Sequence, residues 1–352
     1  MIAGLAVLLV LAVAGGAYAY LLRGEAEAAR IVATGERNAA LSRMVAIRAD
    51  RLYETDPALA QQLALVAYQT APTVEARSSL LSSSSGPAVT RMLGPDGIIQ
   101  SVAVSPDGGI VAGAGADGSV RLWAMPDAAS PDGMASIREL TDSLPGLDGV
   151  VNSLAFHPDG RVLAAAGTDR SVYLYDVADP ARPVTLGAPL TEPDGDLHGL
   201  AFSPDGSMLA AGGLDESVWL WDVDDPSRPA LLGEPLAAPS ASVASVTFSP
   251  DGRLLAAGGH DRMVHLWDLA EPTSPATVGD PLTGPELSVF DVTFSPDGSL
   301  LAAASTDRNV YLWDLGDPMN PGPLPPLTGL SSWVHTVTFS PDGRTVAAGS
   351  SD

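Results

Sequence analysis

The five histidines of this 352-residue chain, His157, His198, His260, His265 and His335, are its first candidates for metal ligation or proton transfer. A metal site needs three or four convergent ligands, and these five are scattered, so they read as ordinary histidines. The acidic string Asp222-Val-Asp-Asp225 offers the oxygen ligands that Ca²⁺ prefers, but it lacks the glycine and glutamate spacing of an EF-hand. It reads as a solvated loop. No Gly-x-Ser-x-Gly elbow accompanies a plausible triad, and no Gly-x-Gly-x-x-Gly opens a helix after a strand. All 18 basic residues are arginine and there is no cysteine. That removes Walker-type phosphate binding, Schiff-base chemistry, thiolate nucleophiles, disulfides and cysteine zinc sites. With 42 acidic residues the net charge is −24, which leaves no basic stripe to displace phosphate counterions. The expectation is a protein with no catalytic residues, no cofactor, no metal and no nucleic-acid partner.

Residues 1–22 carry the strongest membrane signal. Ile2 to Leu22 is free of charge and long enough, at helical rise, to cross a bilayer core of roughly 30 Å. A signal peptide is the rival, because Ala17-Tyr18-Ala19 has a cleavable small-x-small form, yet no arginine precedes the run and the run continues past that point. The expectation is a transmembrane helix and a single-pass protein of the cell membrane. Arg23, Arg30, Arg37 and Arg43 all follow the span, which would place its C-terminal side in the cytoplasm.

Residues 23–86 read as a helical stalk and linker. Leu41, Met44, Ile47, Leu52, Leu59, Leu63 and Val66 recur at helical spacing, and packing among the helices is the expected use of that stripe. Asp56-Pro57 starts a second helix and Thr73 caps a third. Ser82 to Gly86 has a linker composition.

From residue 87 onward the chain repeats. A Ser/His-Pro-Asp-Gly turn places its proline at 106, 158, 204, 250, 296 and 341, at intervals of 52, 46, 46, 46 and 45 residues. Asp117, Asp169, Asp215, Asp261, Asp307 and Asp352 recur at the same intervals, as do Trp123-Ala124, Tyr175-Asp176, Trp221-Asp222, Trp267-Asp268 and Trp313-Asp314. Each unit holds four short strands: Leu197 to Phe202 alternates, Met208 to Gly212 is built of small residues, Val218 to Asp222 is apolar on both faces, and a proline-flanked strand near Ala230 to Leu232 suits an outer edge. A strand apolar on both faces needs cover on both sides, which radially stacked sheets supply. The fold expected is an all-β propeller with five complete blades and a partial sixth over residues 87–352, preceded by the spanning helix and stalk. The sixth unit stops after two strands, so the chain is expected to be a fragment with exposed sheet edges.

These motifs resemble the WD-repeat family, whose propellers present loops to protein or peptide partners. In that family a histidine before the first strand bonds the turn aspartate; here the slot holds Leu147, Pro193, Pro239, Pro285 and Leu330. The six aspartates are therefore expected to bond their own turns. The resemblance places the interaction face on the residues before those aspartates, Thr168, Leu214, His260 and Thr306, and on residues opening the first strand, Asn152, His198, Phe290, Trp333 and His335. Its implied function is a membrane-anchored, non-catalytic interaction scaffold or sensor. The layout is also similar to the C-terminal part of actinobacterial signalling NTPases with WD repeats, so the alternative is the propeller of a larger enzyme, an NTPase or a hydrolase.

Overall fold

A computed structural model describes residues 33–52, 57–84, 97–125, 137–141, 143–237 and 241–351. The chain divides into two compact units, 1–92 and 93–352.

In the first unit, residues 33–52 form α1, Pro57–Thr70 α2 and Val74–Ser84 α3. Thr73 caps α3 by accepting the Ala76 N–H at 3.2 Å on its hydroxyl. Ser82 to Ser84, expected in a linker, form its last turn. The interior is made of small side chains: Ala46, Ala49, Ala60, Ala64, Ala67 and Ala76 are buried, and the Ser42 hydroxyl lies 2.8 Å from the Ala67 carbonyl oxygen.

The expected spanning helix and single-pass membrane location require correction. Among the described residues no helix is long and apolar enough to cross a membrane. The reason is composition: α1 carries Glu36, Arg37, Arg43, Arg48, Asp50 and Arg51, while α2 and α3 have only 14 and 11 residues. The run 2–22 and Asp56 lie outside the described residues.

The second unit is all-β, with six sheets following one another along the chain. In blade 2 the strands a to d are Val151–Phe156, Val162–Gly167, Val172–Asp176 and Val184–Leu190, paired antiparallel in that order. Blade 1 runs from Ile99–Val104 to Arg138–Thr141, blade 3 from Leu197–Phe202 to Leu236–Ala237, blade 4 from Val243–Phe248 to Ala276–Thr277 and blade 5 from Val289–Phe294 to Gly322–Leu327. Blade 6 contributes Val334–Phe339 and Val346–Ser350. The a strands pack side by side in order.

Five cores lie between successive blades rather than within them. Trp221 of strand c in blade 3 packs back on Val162, Ala164 and Leu174 of blade 2, whereas Val218 and Leu220 of the same strand face Val243 and Val246 of blade 4. The two-sided apolar pattern of strand c is used in full. Alanine and glycine in strand b let the sheets approach closely: a Cβ on Gly212 would fall 2.4 Å from Val243 Cγ1.

A second link crosses the blades at the a strands. Side-chain oxygens of Ser101, Ser153, Ser245 and Asp291 accept the N–H of Leu154, Leu200, Val292 and Val337 in the following blade, at 3.0 to 3.3 Å. Blade 3 has Gly199 at this position, and a Cβ there would meet the Ser245 backbone at 3.0 Å.

The Ser-Pro-Asp-Gly turns close by a fixed set of bonds. In blade 3 the Ser203 hydroxyl donates to Asp205 at 2.6 Å and accepts the Met208 N–H at 2.9 Å. Gly206 ends the turn at φ +81°, and a Cβ there would fall 2.1 Å from His157 Nε2, which reaches across from blade 2. Gly206→Ala is expected to cost about 1–3 kcal/mol from the left-handed backbone and the clash together. In a His157→Ala background only the backbone part, about 1 kcal/mol, should remain. Urea unfolding of the four proteins measures both; equal costs in the two backgrounds would contradict the contact.

Candidate functional site

The turn between strands b and c orders one end of the propeller. Asp117, Asp169, Asp261 and Asp307 accept, through Oδ1, the N–H of the residue two positions on, at 3.0 to 3.2 Å. Oδ2 makes bonds the sequence did not announce. It accepts from Trp219 Nε1 at 2.7 Å in blade 3 and from the Tyr311 hydroxyl at 2.9 Å in blade 5, and it lies 3.0 Å from His265 Nε2 in blade 4. In blade 2 the Tyr173 hydroxyl is pushed above its usual pKa by burial first and by its bond to Asp169 next. The signal was an aromatic or histidine four residues after Asp169, Asp215, Asp261 and Asp307; in blade 1 that position holds Arg121.

The same Oδ2 also takes a backbone N–H from the loop that opens strand a. The donors are Asp148, Asp194 and Glu286, at 3.3, 3.2 and 2.7 Å. Each stands one residue past Leu147, Pro193 and Pro285, which fill the slot where the resemblance leads one to expect a histidine. A main-chain donor thus joins loop to turn without that side chain. Each strand-c residue so bound stacks on the aromatic two positions later, with centroids 6.4 Å apart for Tyr173 and Tyr175 and 6.5 Å for Trp219 and Trp221. Arg170, Glu216, Arg262 and Arg308, which follow the aspartates, sit at φ 61° to 77°. Gly118 takes this position in blade 1. Asp352 lies outside the described residues.

Four of the expected face residues meet at this end. Phe290 is held edge-on by His260 of blade 4, with centroids 5.6 Å apart, and by His335 of blade 6 at 5.4 Å. His335 also meets Trp333 at 6.3 Å, and Trp333 is 56% exposed. The histidines are themselves fixed: His260 Nδ1 bonds the Ser242 hydroxyl, and His335 Nε2 lies 2.6 Å from the Ser351 hydroxyl. The result is a continuous aromatic patch across blades 4 to 6.

The other face residues are not part of that patch. Asn152 donates to the Leu197 carbonyl at 2.9 Å, and the Thr168 hydroxyl accepts the Val150 N–H at 2.9 Å. Thr306 is buried, its N–H bonded to the Ser288 carbonyl at 3.0 Å. These three hold the rim together. Leu214 is exposed in blade 3. Burial, followed by the neighbouring His260, lowers the His198 pKa, while Asp196 opposes both.

Asp291 follows Phe290 in the chain and takes the place that Ser101, Ser153 and Ser245 hold in blades 1, 2 and 4. It accepts from Ser245 at 3.0 Å, Thr336 at 2.8 Å and the Val337 N–H at 3.0 Å. Burial nevertheless raises its pKa above the ordinary carboxylate value, against the pull of those donors. A raised folded pKa means that the folded state holds the proton more tightly. The penalty is present above that pKa and is relieved as pH falls through it towards 3.8. Asp297 behaves oppositely: bonds from Ser295 and Ser299 lower it to about 2, so its contribution is lost as pH falls through that value. In thermal melts from pH 7 to 4, Asp291→Asn should therefore gain less on acidification than the wild type. Parallel Tm profiles would contradict this.

Among the described residues no group of three histidines or carboxylates is placed to hold a metal. A family model described as "WD domain, G-beta repeat" matches residues 87–124, 138–176, 186–222, 233–268, 277–314 and 323–352. The chain is similar to the U5 small nuclear ribonucleoprotein 40 kDa protein of Pongo abelii, at 36% identity over 73 residues, 21% of this chain and 18% of that protein. It is also similar to Protein HIR1 of Chaetomium globosum, at 37% identity over 94 residues, 25% of this chain and 8% of that protein. The chain thus spans less than a fifth of the length of either relative.

Proposed function

The chain belongs to the WD40 repeat family, and from that premise we propose that its propeller is a non-catalytic protein-interaction module whose partner seats on the rim of blades 4 to 6. The observation that carries this is the patch of Phe290 between His260 and His335, continued by the exposed Trp333. Aromatics make up only 5% of the chain, and four of the tryptophans, Trp123, Trp221, Trp267 and Trp313, are buried. A large exposed ring held by fixed neighbours is the kind of side chain that anchors protein interfaces at low entropic cost. His198 and Leu214 extend the rim on blade 3, while Asn152, Thr168 and Thr306 set the loops. The relatives give no support to the NTPase layout.

A photo-crosslinking amino acid at position 333, compared with one at position 227 on the opposite end, tests the assignment in cells of the source organism. A discrete protein adduct from position 333 and none from 227 is expected. Adducts from 227 alone would contradict the rim.

A further inference from the structure

The helical unit buries its small residues and exposes its large apolar ones. Alanines and serines fill its interior, while Met44 is 61% and Ile47 49% exposed on α1. These two lie, with Arg48 and Arg51, on one helical face at successive turns, and Leu63 of α2 lines the same groove of about 720 Å³. Leaving such side chains in water costs free energy in proportion to their area. The face has the form of a helix-binding groove, running about 10 Å along α1 from Met44 to Arg51 at helical rise.

Charge identifies the occupant. Arg43 meets Glu75 at 3.6 Å, and no other ion pair engages this face among the described residues. Among the described residues, Arg48 and Arg51 border the apolar floor without a carboxylate partner. Guanidinium groups beside apolar surface suit a ligand that brings both methylenes and carboxylates. We propose that this groove docks an amphipathic helix of a protein partner, with an apolar stripe on Met44, Ile47 and Leu63 and acidic residues against Arg48 and Arg51. The proposal uses none of the rim residues, so either assignment can fail without the other.

The test uses the full chain and a fluorescein-labelled peptide of about four helical turns, with leucines at i, i+3, i+4 and i+7 and glutamates elsewhere. Two control peptides carry the same residues scrambled, or lysine in place of glutamate. Fluorescence anisotropy should show the glutamate peptide binding at least about tenfold more tightly than either control, because only it pairs with the arginines along an apolar stripe. Arg48→Glu/Arg51→Glu should reverse the preference towards the lysine peptide, and Ile47→Asp should weaken both helical peptides; circular dichroism checks that each variant folds. Equal binding of the three peptides, or an unchanged preference in the charge-reversed variant, would overturn the proposal. Sedimentation showing self-association that Arg48→Glu/Arg51→Glu abolishes would overturn it in favour of a second copy of the chain. Binding to phosphatidylglycerol vesicles without peptide discrimination would overturn it in favour of a lipid surface.

Discussion

Alanine in place of Trp221 is expected to lower the unfolding free energy by about 3–5 kcal/mol, the range for deleting a fully buried large aromatic. Trp221 has no solvent exposure and fills the space between blades 2 and 3 against Val162, Ala164 and Leu174. Its strand-b neighbours Leu209 and Ala211 are already fully buried in the same core, so neither is free to refill that space. Trp333→Ala should cost no more than about 0.5 kcal/mol, since its ring stands on the surface. Urea unfolding of both variants supplies the comparison. A loss below 1 kcal/mol for Trp221→Ala would mean that the inter-blade cores do not hold the propeller together.

The position of Trp221 was legible because it recurs with the turn aspartates and the Pro-Asp-Gly turns, and three features in one period define the blade. The partners of the aspartates were less legible. The bond from Oδ1 to the turn follows from local geometry at Asp117, Asp169, Asp261 and Asp307, whereas Asp215 Oδ1 is buried without it; the Oδ2 bonds to Trp219 and Tyr311 require knowing which face of strand c turns inward. The hydroxyl links between a strands join residues about one blade apart, such as Ser101 and Leu154, and sequence shows only a serine in an alternating strand.

Leu41, Met44 and Ile47 teach a different lesson. Their helical spacing established one face of α1 but not whether that face turned inward, and the interior went to alanines that carry no strong hydrophobic signal. Among the face residues, the resemblance supplied positions on one end of the propeller without ranking them. Contact between His260 and Phe290 arises because the turn of one blade abuts the first strand of the next, a juxtaposition that no period in the chain displays.

Phe290→Ala together with Trp333→Ala is expected to weaken partner binding by about a hundredfold or more, because central aromatic anchors carry a disproportionate share of interface energy. The fold should be retained, since Trp333 is exposed and Phe290 is only half-buried, at the rim. Thr168→Val, which removes the hydroxyl that accepts the Val150 N–H, should instead act through rim geometry, with a smaller loss of affinity accompanied by lower stability.

Titration calorimetry of the protein captured through position 333, against wild-type chain and the Phe290→Ala/Trp333→Ala variant, tests the central claim most directly. The account predicts saturable binding to the wild type and a loss of about a hundredfold or more in the variant, with unchanged Tm. Equal affinity for the two proteins would contradict it and remove the aromatic patch of blades 4 to 6 from the partner interface.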